Sequence, residues 1–494
     1  MNYISTRGNG GTVTAAGAIK QGLANDGGLF MPESIPALTR EDIDALAKLP
    51  YPERAATVLS KFLSDYTYEE LLSDCSEAYG EARFPGGAAP ISALGDRLRI
   101  LELWHGPTAA FKDMALQIMP RLFVRALRKT DEKRTALILV ATSGDTGKAA
   151  LEGYRDVDGV KISVFYPVDG VSRVQMLQMA TQEGNNVNVF AVKGNFDDAQ
   201  NGVKRIFSDA EMKNELNGKG FFLSSANSIN WGRLAPQIVY YISAYCDLLA
   251  NGDIAEGETV DVCVPTGNFG NIFAAYIAKK MGLPIGKLIC ASNANNVLTD
   301  FLNTGCYDRN RVFHTTMSPS MDILISSNLE RLLYLVCGSE ETAKYMKELS
   351  ENGKYTVSPE VKAQIDRDFR GYYCNEADTA ATIAKIHGEY SYLSDTHSAV
   401  AINAAERYLS TEGADAARRI IVASTASPYK FASSVYTSLT EKEAPEGTAA
   451  LDALSALTGV EITAPLAGLD KKTVRFKRVI DKTEMEAVVR EITD

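Results

Sequence analysis

The 494-residue chain carries 51 basic and 62 acidic side chains, a formal net charge of −11, and is 45% hydrophobic. This is enough apolar material for two or three packed lobes, and its field repels polyanions, so neither nucleic acid nor an anionic membrane is an expected partner. Four histidines without zinc-ligand spacing and seven cysteines without a Cys-x-x-Cys pair argue for no metal site and for reduced thiols, mostly small core residues.

The opening residues lack the basic start and apolar core of a signal peptide, and no later run approaches the roughly 20 apolar residues that span a bilayer; a cytoplasmic location is expected. Residues 1–90 mix turn-rich pieces with helical spacing at Leu59, Phe62, Leu63, Tyr66 and Leu71, which predicts an N-terminal helical lobe. From about residue 97 short apolar runs (98–104, 136–141, 162–166, 260–264, 288–290 and 420–423) end in glycine-rich turns followed by helical periodicity. That alternation predicts β-α-β units and a mainly parallel sheet in a catalytic α/β region over 91–445, with a smaller α/β lobe at about 135–225. Between about 300 and 390 the rhythm turns helical, without strands, and reads as an insertion. Residues 446–494 read as a surface strand-helix cap, and the five basic residues within 471–478 as a solvated face.

Four segments carry chemistry. The first, His105-Gly-Pro-Thr-Ala-Ala-Phe-Lys112-Asp113, follows a strand and opens a helix near Lys112. A positive helix end and the apolar Ala109, Ala110 and Phe111 both disfavour the ammonium there, leaving an amine able to form an imine with an aldehyde. Alone, a lysine after a turn is ordinarily solvent-exposed. The second segment, Thr142, Ser143, Gly144, Asp145, Thr146 and Gly147, is a hydroxyl- and glycine-rich turn suited to an anion. It is no nucleotide P-loop, because Thr142 stands where that motif needs glycine and Ala149 where it needs Ser or Thr. A carboxylate or a small phosphate is the better-sized guest.

The third segment, Pro265-Thr-Gly267-Asn268-Phe269-Gly270-Asn271, is a tight turn whose glycines let backbone close around a phosphate at a helix start. In the fourth, Thr425 follows a buried strand; it either caps the next turn or sets a neutral hydroxyl against a pyridine nitrogen. All four place polar residues beyond the carboxyl ends of predicted strands, where open α/β sheets bind ligands. An aldehyde-binding lysine, a phosphate cup, a ring-nitrogen partner and a separate anion loop together describe a pyridoxal 5'-phosphate site with a carboxylate-bearing substrate.

These strings, with Tyr3-Ile-Ser-Thr-Arg-Gly8, Asp26-Gly-Gly-Leu-Phe-Met-Pro32, Gly194-Asn-Phe-Asp-Asp198 and Asn227-Ser-Ile-Asn-Trp-Gly-Arg233, resemble the threonine synthases in their longer form, over nearly the full length. The resemblance implies the tryptophan-synthase-β-like fold (fold type II of the pyridoxal enzymes) and a lyase that converts O-phospho-L-homoserine and water to L-threonine and phosphate. It implies Lys112 as the Schiff-base lysine and proton carrier, Gly267, Asn268, Phe269, Gly270 and Asn271 around the cofactor phosphate, and Thr425 at the ring nitrogen. It assigns residues 142–146 to the substrate carboxylate. Asn227, Ser228, Asn230 and Arg233 are assigned to the cofactor ring or the substrate phosphate, with a hydrogen-bonded connecting loop as the rival reading. A monomer or homodimer is expected. Two departures stand out: Ser427 replaces a histidine usual in the family, whose role would fall to His397 or water, and Lys148 replaces a small residue, where a solvated side chain is expected.

Overall fold

In a computed structural model, which describes residues 1–168, 170–411 and 418–494, the apolar runs divide between two sheets. The larger has six strands in the order Phe369–Tyr373, Ile285–Ser292, Val260–Pro265, Ile420–Ser424, Leu98–Glu102 and Ile91–Leu94. All its neighbours pair in parallel except the last two. The smaller, wholly parallel, runs Val479–Asp481, Val187–Lys193, Val160–Pro167, Thr135–Ala141 and Phe221–Ser224. Val260–Pro265, Ile420–Ser424 and Leu98–Glu102 are buried at every residue, as expected of parallel strands covered on both faces.

Three sequence expectations need correction. The 300–390 insertion is not strand-free: Phe369–Tyr373 extends the larger sheet, and Cys306–Asp308 pairs antiparallel with Lys354–Thr356. Phe369–Tyr373 is an edge strand burying only Phe369 and Gly371, which is too short an alternation to read as a strand. The N-terminal lobe adds a three-stranded antiparallel sheet of Thr12–Thr14, Asn2–Ser5 and Phe30–Pro32 to its helices. The C-terminal strand Val479–Asp481 is no separate cap, because it pairs with Val187–Lys193 and completes the smaller sheet.

In the N-terminal lobe, Arg40–Ala47 and Tyr68–Tyr79 start at capping boxes, Thr39 with Asp42 and Thr67 with Glu70. Leu59, Phe62, Leu63 and Leu71 are fully buried, and Phe62 meets Trp231 of the long helix Trp231–Ala250 at 5.7 Å between ring centres. In the 471–478 run, Arg475 donates to the carbonyls of Gln182 and Gly184, and Arg478 pairs with Glu491. Among the described residues no helix is long and apolar enough to cross a membrane.

Candidate active site

The loops at the carboxyl ends of both sheets face a common cavity of about 1100 Å³. Its wall includes Lys112, Thr142, Ser143, Thr146, Asn227, Ser228, Arg233, the 267–271 turn, Ser320, His397 and Thr425. Gly144, Asp145 and Asn230 are not on that wall.

Lys112 precedes the one-turn helix Asp113–Leu116. The loop that delivers it is stitched to the Thr425 loop: the Phe111 amide donates to the Thr425 carbonyl at 2.8 Å and the Ser427 amide to the Ala109 carbonyl at 3.0 Å. Ala109, fully buried, holds a left-handed φ of 58°, a strained conformation for a residue with a Cβ. Asp113 accepts the Thr108 amide and hydroxyl, and burial pushes its carboxyl up to about 6. The Lys112 Nζ lies 3.4 Å from Asp145 Oδ2 and 3.4 Å from Ser320 Oγ. Burial is the leading influence that lowers the amine's pKa; Asp145 opposes it, and the nearby cations Lys430 and Arg233 reinforce it. The helix end expected to do this is only one turn long.

Asp145 sits beneath the cavity. Its carboxylate takes Lys430 Nζ at 2.8 Å and Gln175 Nε2 at 2.8 Å on Oδ1, and Ser320 Oγ at 3.2 Å on Oδ2. Lys430, wholly buried, also donates to the Thr108 carbonyl at 2.9 Å. Burial alone would raise the Asp145 carboxyl, but Lys430 and Lys112 outweigh it and hold the group well below the usual carboxylate range. A side chain so engaged belongs to the lysine's surroundings, not to a carboxylate-binding surface. In the same loop Thr142 Oγ1 accepts the Gly144 and Gly147 amides, both at 2.9 Å, so the turn is rigid and presents Ser143 and Thr146. Gly144 has φ 128°, and a Cβ there would overlap the Gln175 amide.

The 267–271 turn opens the helix Gly270–Met281 with Phe269 left-handed at φ 62° and its ring packed 5.6 Å from that of Phe369. Phe269 therefore offers the cavity backbone, not side chain. A segment of the insertion straps this turn: Ser326 Oγ donates to the Gly267 carbonyl at 2.8 Å, and the Asn328 amide and side chain donate to the Asn268 carbonyl at 3.0 Å. Asn271 Oδ1 accepts the Tyr240 and Tyr241 hydroxyls, while its buried Nδ2 has no partner among the described residues. Arg233 is 3% exposed; Nη1 donates to the Ala226 carbonyl, Nε is unpartnered, and burial lowers the guanidinium to about 10. The Thr425 hydroxyl has no hydrogen-bond partner among the described residues, though its backbone amide donates to Ser398.

Asn230 is corrected to a structural role: it caps the Trp231–Ala250 helix, and its amide donates to the Ile19 and Ser225 carbonyls. Lys148 is not solvated but half-buried, paired with Glu152 at 3.1 Å and bonded to Gln182. Ser427 points away from the cavity to Thr463, and the imidazole on the cavity wall is His397. Sequence reasoning missed Ser320, Lys430 and Gln175. For Ser320 the available signal was the Ser-Pro-Ser turn at 318–320 inside a region read as helical.

A half-buried lysine with a lowered pKa, an unpartnered amide donor at a helix start, an unpartnered hydroxyl and a buried guanidinium share one cavity at the carboxyl ends of parallel strands. The group that fits this donor set is pyridoxal phosphate, with its aldehyde, phosphate and ring nitrogen. Fold and site together define a pyridoxal-phosphate-dependent enzyme of the tryptophan-synthase-β-like class, and the family described as "Pyridoxal-phosphate dependent enzyme" matches residues 88–425. Flanking it, "Threonine synthase N terminus" matches residues 2–79 and "Threonine synthase, C-terminal" matches residues 398–491. A threonine synthase of Pseudomonas aeruginosa is 39% identical over 444 residues, 88% of this chain and 90% of that protein. The PLP-bound threonine synthase from Brucella melitensis superposes with a TM-score of 0.86 at 37% identity, covering 100% of this chain and 99% of that one. Human threonine synthase-like 1 is 41% identical over 87% of this chain, which spans only 58% of that longer protein. The chain belongs to the threonine synthase family.

Proposed function

We propose that this chain converts O-phospho-L-homoserine and water to L-threonine and phosphate. The observation that carries the reading is the presence of two separate anion receivers in one cavity: the 267–271 turn with the unpartnered Asn271 amide, and the buried Arg233 guanidinium on another helix. A cofactor phosphate and a substrate phosphate need one each. Lys112 carries the cofactor, Gly267, Asn268, Phe269, Gly270 and Asn271 hold its phosphate, and Thr425 offers its hydroxyl to the ring nitrogen. Ser143 and Thr146, with the backbone of the Thr142, Gly144 and Asp145 turn, receive the substrate carboxylate; Arg233, Asn227 and Ser228 receive the substrate phosphate.

When bound, pyridoxal phosphate supplies an electron-accepting ring that acidifies the substrate C–H bonds near the amine. The Lys112 amine takes protons from Cα and Cβ and returns one at Cγ and one at Cα. Arg233 neutralises the phosphate as it leaves Cγ, and water adds at Cβ. The partner is this small molecule, with neither nucleic acid nor membrane; the net charge of −11 supports that. A cytoplasmic monomer or homodimer, with its N-terminal lobe ending at about residue 90, completes the proposal.

The deciding measurement is phosphate release from O-phospho-L-homoserine by purified protein with added pyridoxal phosphate; no release sinks the reading. Arg233→Ala is expected to raise KM about 100-fold while cofactor affinity stays within about twofold, because it removes the charged hydrogen-bonding group assigned to the substrate phosphate. Steady-state kinetics beside a cofactor titration check this.

A further inference from the structure

Ser320 lies on the single 3-10 turn Pro319–Met321 of the insertion, 208 residues from Lys112 in sequence, yet its hydroxyl is 3.4 Å from the Lys112 nitrogen. It is also 3.2 Å from Asp145 Oδ2. Its backbone amide donates to His397 Nε2 at 3.1 Å, and His397 Nδ1 lies 2.9 Å from Asp395 Oδ1. Both His397 and Asp395 are buried, at 2% and 0% exposure, and Asp395 also accepts the Ser398 hydroxyl. The network assigns the tautomer: Nε2 faces an N–H and so carries the lone pair, and Nδ1 carries the proton toward the carboxylate. His397 is thereby a fixed acceptor that pins the Ser320 turn.

We propose that Ser320 is a further catalytic residue, acting on the Lys112 amine, and that His397 with Asp395 is the positioning pair that presents it. The inference rests on the reading of Lys112 as the cofactor lysine and proton carrier. The Ser320 hydroxyl hydrogen is directed at Asp145, which leaves the oxygen's lone pairs for Lys112. A tetrahedral amine has three positions beyond its Cε bond. Asp145 Oδ2 and Ser320 Oγ each accept one N–H, so the third position, the lone pair of the neutral amine, faces the cavity that Lys112 lines. In the proton transfer a substrate C–H bond breaks, its electron pair stays with the substrate, and the proton forms the third N–H bond. The ammonium then rests in a seat already built for it, with one proton aimed back at the substrate. Without Ser320 the amine turns about its C–N bond and its lone pair is no longer indexed.

The experiment follows the visible band as pyridoxal phosphate is added to apoenzyme in a stopped-flow instrument, with kcat and KM for phosphate release measured in parallel. Ser320→Ala is expected to slow band formation and to lower kcat, each about 10-fold, with KM and cofactor Kd within about twofold. His397→Gln, whose amide oxygen accepts the same N–H, retains near-normal rates, whereas His397→Ala behaves like Ser320→Ala. The double variant Ser320→Ala/His397→Ala is no slower than Ser320→Ala alone, since the second acts through the first. Unchanged rates in Ser320→Ala overturn the catalytic assignment, and a His397→Ala loss that adds fully in the Ser320→Ala background overturns the positioning pair. If the unsubstituted chain forms no band, it is the cofactor reading that fails.

Discussion

Lys112→Ala is expected to leave a folded protein that forms no visible band with pyridoxal phosphate and turns over O-phospho-L-homoserine about 10⁴-fold or more slowly. Folding survives because the side chain makes few structural bonds: among the described residues its nitrogen hydrogen-bonds only to Asp145 and Ser320, both at 3.4 Å, and Asp145 keeps Lys430 and Gln175. Turnover does not survive, because one amine is assigned both attachment and proton transfer, and the neighbouring Lys430 cannot stand in while it is held by Asp145 and the Thr108 carbonyl. The absorbance spectrum after gel filtration with cofactor, beside the phosphate assay, checks both halves. A retained band in the variant would move the attachment site elsewhere.

The second large effect belongs to Asp145. Asp145→Ala is expected to destabilise the protein by about 3–5 kcal/mol, because it strands the wholly buried Lys430 ammonium with a single carbonyl partner. Denaturant unfolding reads this as a lower midpoint. Adding Lys430→Met to Asp145→Ala should restore most of the loss, since an apolar pair of similar volume has no charge to strand; failure to restore it would show that the carboxylate matters for shape, not for charge. The pH sign follows from the depressed Asp145 carboxyl. Its contribution is complete above the ordinary carboxylate range near 4 and is lost only as the pH falls below it, so the variant's deficit persists across the neutral range.

Much of this architecture is legible in the chain because it is written locally. The runs at 136–141 and 420–423 are continuous apolar stretches, and those at 98–104, 162–166 and 260–264 are apolar but for Arg99, Glu102, Ser163 and Asp261, the pattern that parallel strands buried on both faces favour. The turns that follow them carry their hydroxyls and glycines in consecutive positions. What stays hidden is what depends on distant pairing. Phe369–Tyr373 needs Ile285–Ser292 beside it before its alternation means strand. The N-terminal strands are three or four residues each and become a sheet only through one another. Ser320 and Lys430 gain significance only because folding sets them around Asp145, and no spacing along the chain encodes that meeting. Asn230 misleads for the opposite reason, since an asparagine in a polar string reads equally as a ligand or as a helix cap.

The Ile420–Ser424 strand has a consequence for how the protein comes to be competent. It lies between Val260–Pro265 and Leu98–Glu102, strands remote from it in sequence, and the Thr425 and Lys112 loops are bonded together just beyond it. Contacts spanning so much chain close late, after the local units have collapsed. The lysine loop is therefore expected to gain its neighbour only after the N-terminal helices and the locally connected β-α-β units over 135–224 have formed, so that on refolding the visible band recovers later than far-ultraviolet ellipticity. The power to capture the cofactor is in this sense a certificate of completed assembly, issued only when the central strand has been threaded into place.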